Sequence, residues 1–409
     1  MNTDPTGRVF ISYRRTRLAE IRLLIEALHD RGIPTWQDLA NIGMGQAEAE
    51  LRKTLHHPLI SGAILWLTPD VSDQTMVRLV ELPEIDTRSF KDELFFAQLV
   101  AAGGLTYEQV SDLAKGRTPY DMGAFNITKV KSNPLDFAEA SRVARLTLRH
   151  RIATLHRELP VGGPLIVEIN SWTHPAFEPG KALIIDWSHR FENGRHAKPG
   201  IWEEFVLAAL QDIAKTIQTE APGRPIEARG QIPLPAAVAL GYTFLEPNPT
   251  NISWRPRHSP EQLWSIRGPR QESGFLATTR PDRLDATDLA VLVSVDNDVT
   301  SAFTRSTSHL NTKFRAIVEV SNPQLPQGIT RHEISTPEEA RDIAMVVRQE
   351  VVSACNKFSE IRCAHLFLAV PVGLAMMIGQ VMNPFPTIQT YEYRNTTGYV
   401  LSVRLNQTQ

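Results

Sequence analysis

The acidic side chains in the first third of the chain are the first candidates for chemistry. Glu81 and Glu84 follow an apolar run at residues 62–68, and they form a carboxylate cluster after a predicted buried strand. Three other motifs are excluded: Gly43-Met44-Gly45 lacks a third glycine, and the chain has neither a Gly-Lys-Ser/Thr loop nor a Gly-x-Ser-x-Gly elbow. Taken alone, either glutamate also fits a solvated charge on a helix face.

A second group of chemistry-bearing residues surrounds an apolar strand predicted at residues 182–187. This segment interleaves basic and aromatic side chains, namely Lys181, Trp187, His189, Arg190, Phe191, Arg195, Lys198 and Trp202. Further on, Pro371 and Gly373 stand between another apolar run and a helix, whose N-terminus can hold an anion. Residues such as Trp187 and Phe191 are more often part of a hydrophobic core, and a cluster of basic residues is usually a solvated face.

The composition is that of a soluble globular protein with two or three domains. Apolar residues make up 42% of the 409 residues and charged residues 22%, with a formal net charge of −2. This balance argues against a protein that coats long nucleic acids. We expect no membrane span, because no apolar stretch is long enough, and no metal site, because the two cysteines cannot form one alone. A reducing cytoplasm is the expected compartment.

Apolar runs alternate with helical patterns near the N-terminus, which predicts a parallel α/β sheet. The predicted strands lie at residues 8–13, 33–36, 62–68 and 124–130. Ser89 is expected to cap a helix that ends at Gly103-Gly104, and Asn133 to cap a long helix that begins at Pro134. The run from Pro160 to Pro164 stops helix and strand alike, so we predict domains at residues 1–159 and 160–409.

The second part of the chain is also mixed α/β in its pattern. Strand–loop–helix units are expected to begin at Ala182 and Leu289. Capping boxes at Ser259 and Thr336 each predict the start of a helix. A closing hairpin is predicted at residues 391–403. Since ligands of open α/β sheets lie outside the carboxyl ends of strands, the loops after Asp186, Val295 and Val370 are the expected binding loops.

Four N-terminal segments together resemble a TIR domain, over roughly the first 130–150 residues. They are VFISY at residues 9–13, GIPTWQD at 32–38, GMG at 43–45 and ILWLTP at 64–69. The resemblance implies a flavodoxin-like fold with a parallel sheet. Many bacterial TIR domains cleave the nicotinamide–ribose bond of NAD with one glutamate on the helix after the third strand.

The TIR resemblance implies Glu84 as the catalytic residue, with Glu81 as the alternative. A carboxylate suits this reaction because it stabilises an oxocarbenium-like transition state, and nicotinamide is already a cationic leaving group. The chain departs from the family pattern, since Met76-Val77 stands near the place of the usual tryptophan. The implied NAD-binding residues are Phe10, Arg14, Trp36, Asp38, Gly43 and Gly45. Trp36 fits a strand-packing role equally well.

The segment HLFLAVPVGLA at residues 365–375, followed by Gly379-Gln380, resembles the C-terminal signature of SAVED domains. The resemblance covers about residues 160–409 and implies two fused CARF-like α/β halves that bind a cyclic oligonucleotide. Such a ligand needs backbone N–H groups, cations and aromatic faces. The implied binding residues are Lys181, Trp187, His189, Arg190, Phe191, Arg195, Lys198, Trp202, Pro371 and Gly373.

Together the two resemblances imply a TIR–SAVED effector of CBASS antiphage defence. Its expected activity is NAD⁺ hydrolysis, with NAD⁺ as substrate rather than cofactor. The expected activator is a cyclic oligoadenylate-type messenger that drives head-to-tail homo-oligomerisation. Two alternatives stay open: a non-catalytic TIR adaptor gated by the same ligand, and a nucleoside N-glycosidase or deoxyribosyltransferase.

Overall fold

The computed structural model describes residues 2–36, 47–70, 77–114, 127–197, 200–324, 333–383, 385 and 387–406. The chain divides into two compact units. The first comprises Met1–Glu168, Pro175–Asp186 and Lys215–Pro222, and the second Ile169–His174, Trp187–Ala214 and Gly223–Gln409. The sequence predicts a single boundary after residue 159. In the structure, the chain leaves the first unit after Glu168 and returns to it twice, at Pro175–Asp186 and at Lys215–Pro222.

The first unit is built on a five-stranded sheet of order β2-β1-β3-β4-β5. Its strands are β1 (Arg8–Ser12), β2 (Thr35–Trp36), β3 (Ile60–Leu67), β4 (Phe96–Ala101) and β5 (Ile127–Lys129). Every neighbouring pair is parallel, as the alternation of strand and helix predicts. The order 2-1-3-4-5 is that of flavodoxin-like sheets. All eight residues of β3 are buried, which explains its continuous apolar sequence.

The helices of the first unit lie between and after these strands. They are α1 (Leu18–Asp30), α2 (Ala47–Leu55), α3 (Leu82–Lys91), α4 (Tyr107–Ala114) and α5 (Phe137–Glu158), with a π-helical turn at Val77–Glu81 before α3. The helix expected from Ser89 is wrong, because Ser89 lies inside α3 and the six-residue strand β4 lies in the middle of that segment. Helix α5 begins later than expected, because Asp136 rather than Asn133 accepts the capping hydrogen bond.

Three elements follow α5 before the larger part of the second unit. They are β6 (Leu165–Asn170), β7 (Leu183–Asp186) and the hairpin of β8 (Phe191–Glu192) and β9 (His196–Ala197). A π-helical turn at Trp202–Leu207 then leads into α6 (Ala208–Glu220). The strand–loop–helix unit expected from Ala182 is therefore not a simple repeat, because β7 belongs to the first unit and the hairpin to the second.

The second unit contains a six-stranded sheet of order β12-β14-β13-β15-β16-β17. Two parallel strands, β10 (Ile226–Gln231) and β11 (Ile252–Trp254), precede it in the chain. The six strands are β12 (Leu276–Pro281), β13 (Asp288–Ser294), β14 (Phe314–Ser321), β15 (Cys363–Ala369), β16 (Thr387–Arg394) and β17 (Gly398–Asn406). The central strands are parallel and the two edge strands antiparallel. The predicted hairpin is confirmed as β16 and β17.

The helices of the second unit follow its strands. They are α7 (Leu234–Thr243), α8 (Thr300–Leu310), α9 (Pro337–Lys357) and α10 (Val372–Val381). Thr336 caps α9 as predicted, since its side chain accepts a hydrogen bond from the backbone of Glu339. The helix predicted from Ser259 is wrong: this segment turns instead, and Trp264 forms a β-bridge with Trp254.

Helices α7 and α10 pack closely against each other through a sequence repeat. IPLPAAVALG at residues 232–241 corresponds to VPVGLAMMIG at residues 370–379. The contact is reciprocal: a Cβ on Gly241 would overlap the carbonyl oxygen of Met376, and a Cβ on Gly379 would overlap that of Val238. Only glycine allows the two backbones to approach this closely. The repeat therefore explains why both helices begin side by side.

Within the described ranges, no helix combines the length and the apolar composition needed to cross a membrane.

Candidate ligand cavity and candidate catalytic carboxylate

The second unit contains a cavity of about 530 Å³, which lies in the size range of small-molecule sites. Its lining comes from the carboxyl ends of β10, β11 and β15, from the starts of α7 and α10, and from β16. Three parallel strands of the unit, β10, β11 and β15, end here, and ligands of open α/β sheets bind at this edge. The topology therefore places the cavity at the expected edge.

Five tryptophan and tyrosine side chains from the described part of the chain line this cavity. Trp254, Trp264 and Tyr391 are at most 5% exposed, whereas Trp172 and Tyr393 are each 41% exposed. Trp254 and Trp264 are locked together by two backbone hydrogen bonds of 2.8 Å. Partly exposed aromatic faces beside a cavity can stack on nucleobases, each stack contributing about 1–3 kcal/mol.

The polar groups of the cavity favour an anion. Helices α7 and α10 both start at the cavity, with Pro233 and Pro371 at their N-caps. The first backbone N–H groups of a helix have no acceptor within that helix, so they can donate to an anion. The guanidinium of Arg195 lies 4.7 Å from the ring centroid of Trp172, and the exposed side chain of Arg257 adds a second cation. Two helix N-termini and two guanidinium groups together suit phosphates.

One carboxylate also lines the cavity. The side chain of Glu392 is 9% exposed, and its Oε2 lies 3.2 Å from Nδ1 of His196. Burial raises the pKa of Glu392, and His196, Arg394 and Arg195 oppose that rise. An acidic group stands out in a cavity that otherwise attracts anions.

The structure brings together three of the ligand residues that the sequence proposes. Arg195, Pro371 and Gly373 line the cavity. Gly373 allows a close approach of α10 to the aromatic floor, since a Cβ there would lie 2.7 Å from Cε3 of Trp264. Lys198 lies outside the described residues.

The other ligand residues proposed from the sequence do not line this cavity. Trp187, Phe191 and Trp202 form a buried aromatic cluster with ring centroids 6.5 and 5.1 Å apart. Arg190 lies over the ring of Phe205, 3.9 Å from its centroid. Lys181 belongs to the first unit, where it pairs with Glu168 and Glu178. The exposed His189 is likewise absent from the lining. Trp187, Phe191 and Trp202 therefore belong to the hydrophobic core.

Of the three predicted binding loops, the loop after Val370 lines the cavity, and the segment after Asp186 contributes Arg195 from its hairpin turn. Among the described residues, the loop after Val295 contributes none to the lining. Sequence reasoning missed the loop after Gln231, although the repeat of Ile232-Pro233-Leu234-Pro235 with Val370-Pro371-Val372-Gly373 was a readable signal. It also missed Trp172, Trp254 and Trp264, which come together only through the fold.

Glu84, the proposed catalytic residue of the first unit, lies in the first turn of α3. Its Oε1 pairs with a guanidinium nitrogen of Arg52, and its Oε2 lies 2.8 Å from Nε2 of His56. The side chain is 16% exposed. Burial and the nearby Arg88, Arg52 and Lys91 lower the pKa of His56, so a neutral imidazole faces Glu84 at neutral pH. Both carboxylate oxygens therefore have partners from the end of α2.

The proposed NAD-binding residues are partly described. The rings of Phe10 and Trp36 stack with centroids 5.2 Å apart, and Trp36 packs on the hydrophobic core. Arg14 forms an ion pair with Asp70, with Nη1 and Oδ2 2.6 Å apart. Glu81 ends the π-helical turn one turn before Glu84. Asp38, Gly43 and Gly45 lie outside the described residues.

Comparison with known proteins identifies part of the chain. One solved structure, the Acinetobacter baumannii Cap4 SAVED/CARF-domain containing receptor with the cyclic trinucleotide 3′3′3′-cAAA, is 11% identical, with a TM-score of 0.50 over 96% of this chain and 99% of that one. The same receptor with 2′3′3′-cAAA is 12% identical, with a TM-score of 0.48 over 90% and 86%. The first likeness shows a shared fold. No curated protein matches. Residues 209–405 match the family described as "SMODS-associated and fused to various effectors sensor domain", so this part of the chain is a SAVED domain.

Proposed function

We propose that the chain is a defence effector that binds a cyclic oligonucleotide in its second unit and hydrolyses NAD⁺ with its first. The cavity carries the proposal, because it joins aromatic faces, cations and two helix N-termini within a SAVED domain. A cyclic oligonucleotide presents bases and phosphates in one compact molecule, and this set of groups suits both. The Cap4 receptor of the same fold holds a cyclic trinucleotide.

The enzymatic half of the proposal rests on the first unit. Its 2-1-3-4-5 sheet and the stacked Phe10–Trp36 pair fit the TIR resemblance, and Glu84 lies on the helix after the third strand. In the proposed reaction, the bond between ribose C1′ and nicotinamide breaks and its electron pair leaves with nicotinamide. The carboxylate of Glu84 stabilises the positive charge on the ribose. Water then adds to C1′ and releases a proton, which gives ADP-ribose.

Activation by assembly fits the way in which Glu84 is held. Both of its oxygens are paired with Arg52 and His56, so the carboxylate must exchange partners before it meets a ribose. We propose that ligand binding drives self-association of the chain and that this association makes the exchange possible. An effector of this kind stays inactive until the messenger is present, which protects NAD⁺ in the host cell.

The test is nicotinamide release by the purified full chain, with NAD⁺ and with or without 3′3′3′-cAAA. We expect release only when both are present. Glu84→Gln should lower the rate by roughly 100- to 1,000-fold while ligand-driven association, followed by light scattering, persists. Glu48→Gln is the matched control, because Glu48 contacts the same Arg52 with a 58%-exposed side chain.

Three outcomes would contradict parts of the proposal. Association without nicotinamide release would favour the adaptor. Base release from free nucleosides rather than from NAD⁺ would favour the nucleoside N-glycosidase or deoxyribosyltransferase. A fully active Glu84→Gln variant beside an inactive Glu81→Gln variant would assign the catalytic role to Glu81.

A further inference from the structure

Glu392 is the one acidic side chain among the described residues that line the cavity. Its position on β16 lies between Tyr391 and Tyr393, which also line the cavity. A carboxylate repels the phosphates that the two helix N-termini and Arg195 attract. Its presence therefore weakens the binding of a polyanion unless the ligand presents a hydrogen-bond donor to it.

The two oxygens of Glu392 differ in their partners. Oε2 lies 3.2 Å from Nδ1 of His196, whereas no described residue forms an ion pair or hydrogen bond with Oε1. The side chain is more than nine-tenths buried, so solvent would weaken a hydrogen bond from a ligand donor to Oε1 only a little. Oε1 is thus a single acceptor beside a cavity with aromatic walls.

Two arginines influence Glu392 through their charge, and in the described part of the chain neither forms an ion pair or hydrogen bond with Oε1. Arg195 lies over the ring of Trp172, 4.7 Å from its centroid. Arg394 is the next residue but one on β16, and it influences Glu392 only through its charge. A ligand in the cavity can therefore supply a donor to Oε1.

We propose that Oε1 of Glu392 accepts a hydrogen bond from the exocyclic amino group of a base stacked in the cavity. This inference rests on the proposed binding of a cyclic oligonucleotide, and it names the base class. A 6-aminopurine presents an N–H donor, while a 6-carbonyl purine presents an oxygen that the carboxylate repels. Oε2 is held by His196, so a single N–H suits the site better than the paired N–H groups of a guanine edge.

The experiment compares two probes by isothermal titration on the full chain. One is 3′3′3′-cAAA, and the other is the same molecule with its three 6-amino groups replaced by hydrogen. The wild-type chain should bind the first about 5- to 150-fold more tightly. Glu392→Ala should bring the two affinities close together, and Glu392→Gln, which keeps an acceptor oxygen, should restore part of the preference. Glu319→Ala, on β14 and outside the cavity lining, should keep the wild-type ratio.

A second variant keeps the test decisive if Glu392→Ala does not fold. Glu392→Met keeps the length of the side chain and removes the acceptor, so it should also lose the preference. Equal binding of both probes by the wild-type chain, or an unchanged ratio in the Ala or Met variant, would overturn the role of Glu392 alone. Failure of the wild-type chain to bind either probe would overturn the proposed cyclic-trinucleotide binding and, with it, this inference.

Discussion

Two glutamates, one in each compact unit, are held in opposite ways. Glu84 sits in the first turn of α3 with both oxygens paired to Arg52 and His56. Glu392 lines a cavity, and only its Oε2 has a partner among the described residues. Glu392 can therefore bind a ligand with its Oε1 directly, whereas Glu84 must first exchange Arg52 or His56 for its substrate. We therefore expect the second unit to bind its ligand without rearranging and the first to act only after a change.

The two units should also respond differently to acid, and the first unit should give the largest effect. His150 on α5 stacks on Phe96 with centroids 4.3 Å apart, and burial lowers its pKa to about 4. The folded chain therefore stays unprotonated at His150 while the unfolded chain binds a proton below about 6.5. Stability is lost as the pH falls from about 7 to about 4, by about 3 kcal/mol from this residue.

His150→Phe should remove this part of the pH dependence, because phenylalanine keeps the stack on Phe96 and cannot titrate. Urea denaturation at pH 7 and at pH 4 measures the difference. His57→Gln, at an exposed histidine, should retain the wild-type loss of stability. An equal loss in His150→Phe and wild type would show that His150 does not cause it.

A smaller effect tests how firmly Glu84 is held. Arg52→Met removes the guanidinium next to Oε1 and leaves a carboxylate that is only 16% exposed. We expect the free energy of unfolding to fall by about 1 kcal/mol, a modest value because Arg52 itself is 41% exposed. The measurement is urea denaturation at pH 7.

Glu48→Gln again provides the comparison, since it breaks only the exposed pair with Arg52. Its effect should be a few tenths of a kcal/mol. If Arg52→Met costs no more than Glu48→Gln, then Glu84 is not restrained by α2, and the contrast with Glu392 disappears.

The smallest effect should have the opposite sign and should come from the cavity. Burial raises the pKa of Glu392, so the ionised form is less stable in the folded chain than in the unfolded one. Glu392→Gln removes this penalty and should raise the melting temperature at pH 7. The gain should shrink as the pH falls through the unfolded-state pKa of about 4.3, because the wild-type carboxyl then becomes protonated in both states. A lower melting temperature at pH 7 would mean that the pair with His196 outweighs burial.

The sequence predicted those elements whose signals are local. The apolar run of β3 and the capping residue Thr336 of α9 are confirmed because burial and capping are read from neighbouring residues. Ser89 and Ser259 misled the prediction, since a serine before a helical pattern does not show whether the segment pairs as a strand or turns around a β-bridge. Tertiary pairing overrode local propensity at both places.

The candidate site was predictable only at its repeated element. Pro371 and Gly373 were readable because a strand followed by a helix start is a local pattern, and the same pattern at Pro233 was present but overlooked. Trp254 and Trp264 offered no such signal. Their places in the cavity depend on a β-bridge and on the close contact of α10 with Trp264, which no spacing in the chain shows.

The sequence by itself determined the class of the protein: mixed α/β, a parallel sheet near the N-terminus, and the segment that identifies the SAVED domain. These follow from apolar periodicity and short contiguous motifs, which depend on neighbouring residues. Only the tertiary structure decided which carboxylate is paired and which has a spare oxygen. That distinction arises because Arg52 and His56 reach Glu84 across 28 or more residues, while β16 brings Glu392 to His196 from almost 200 residues away.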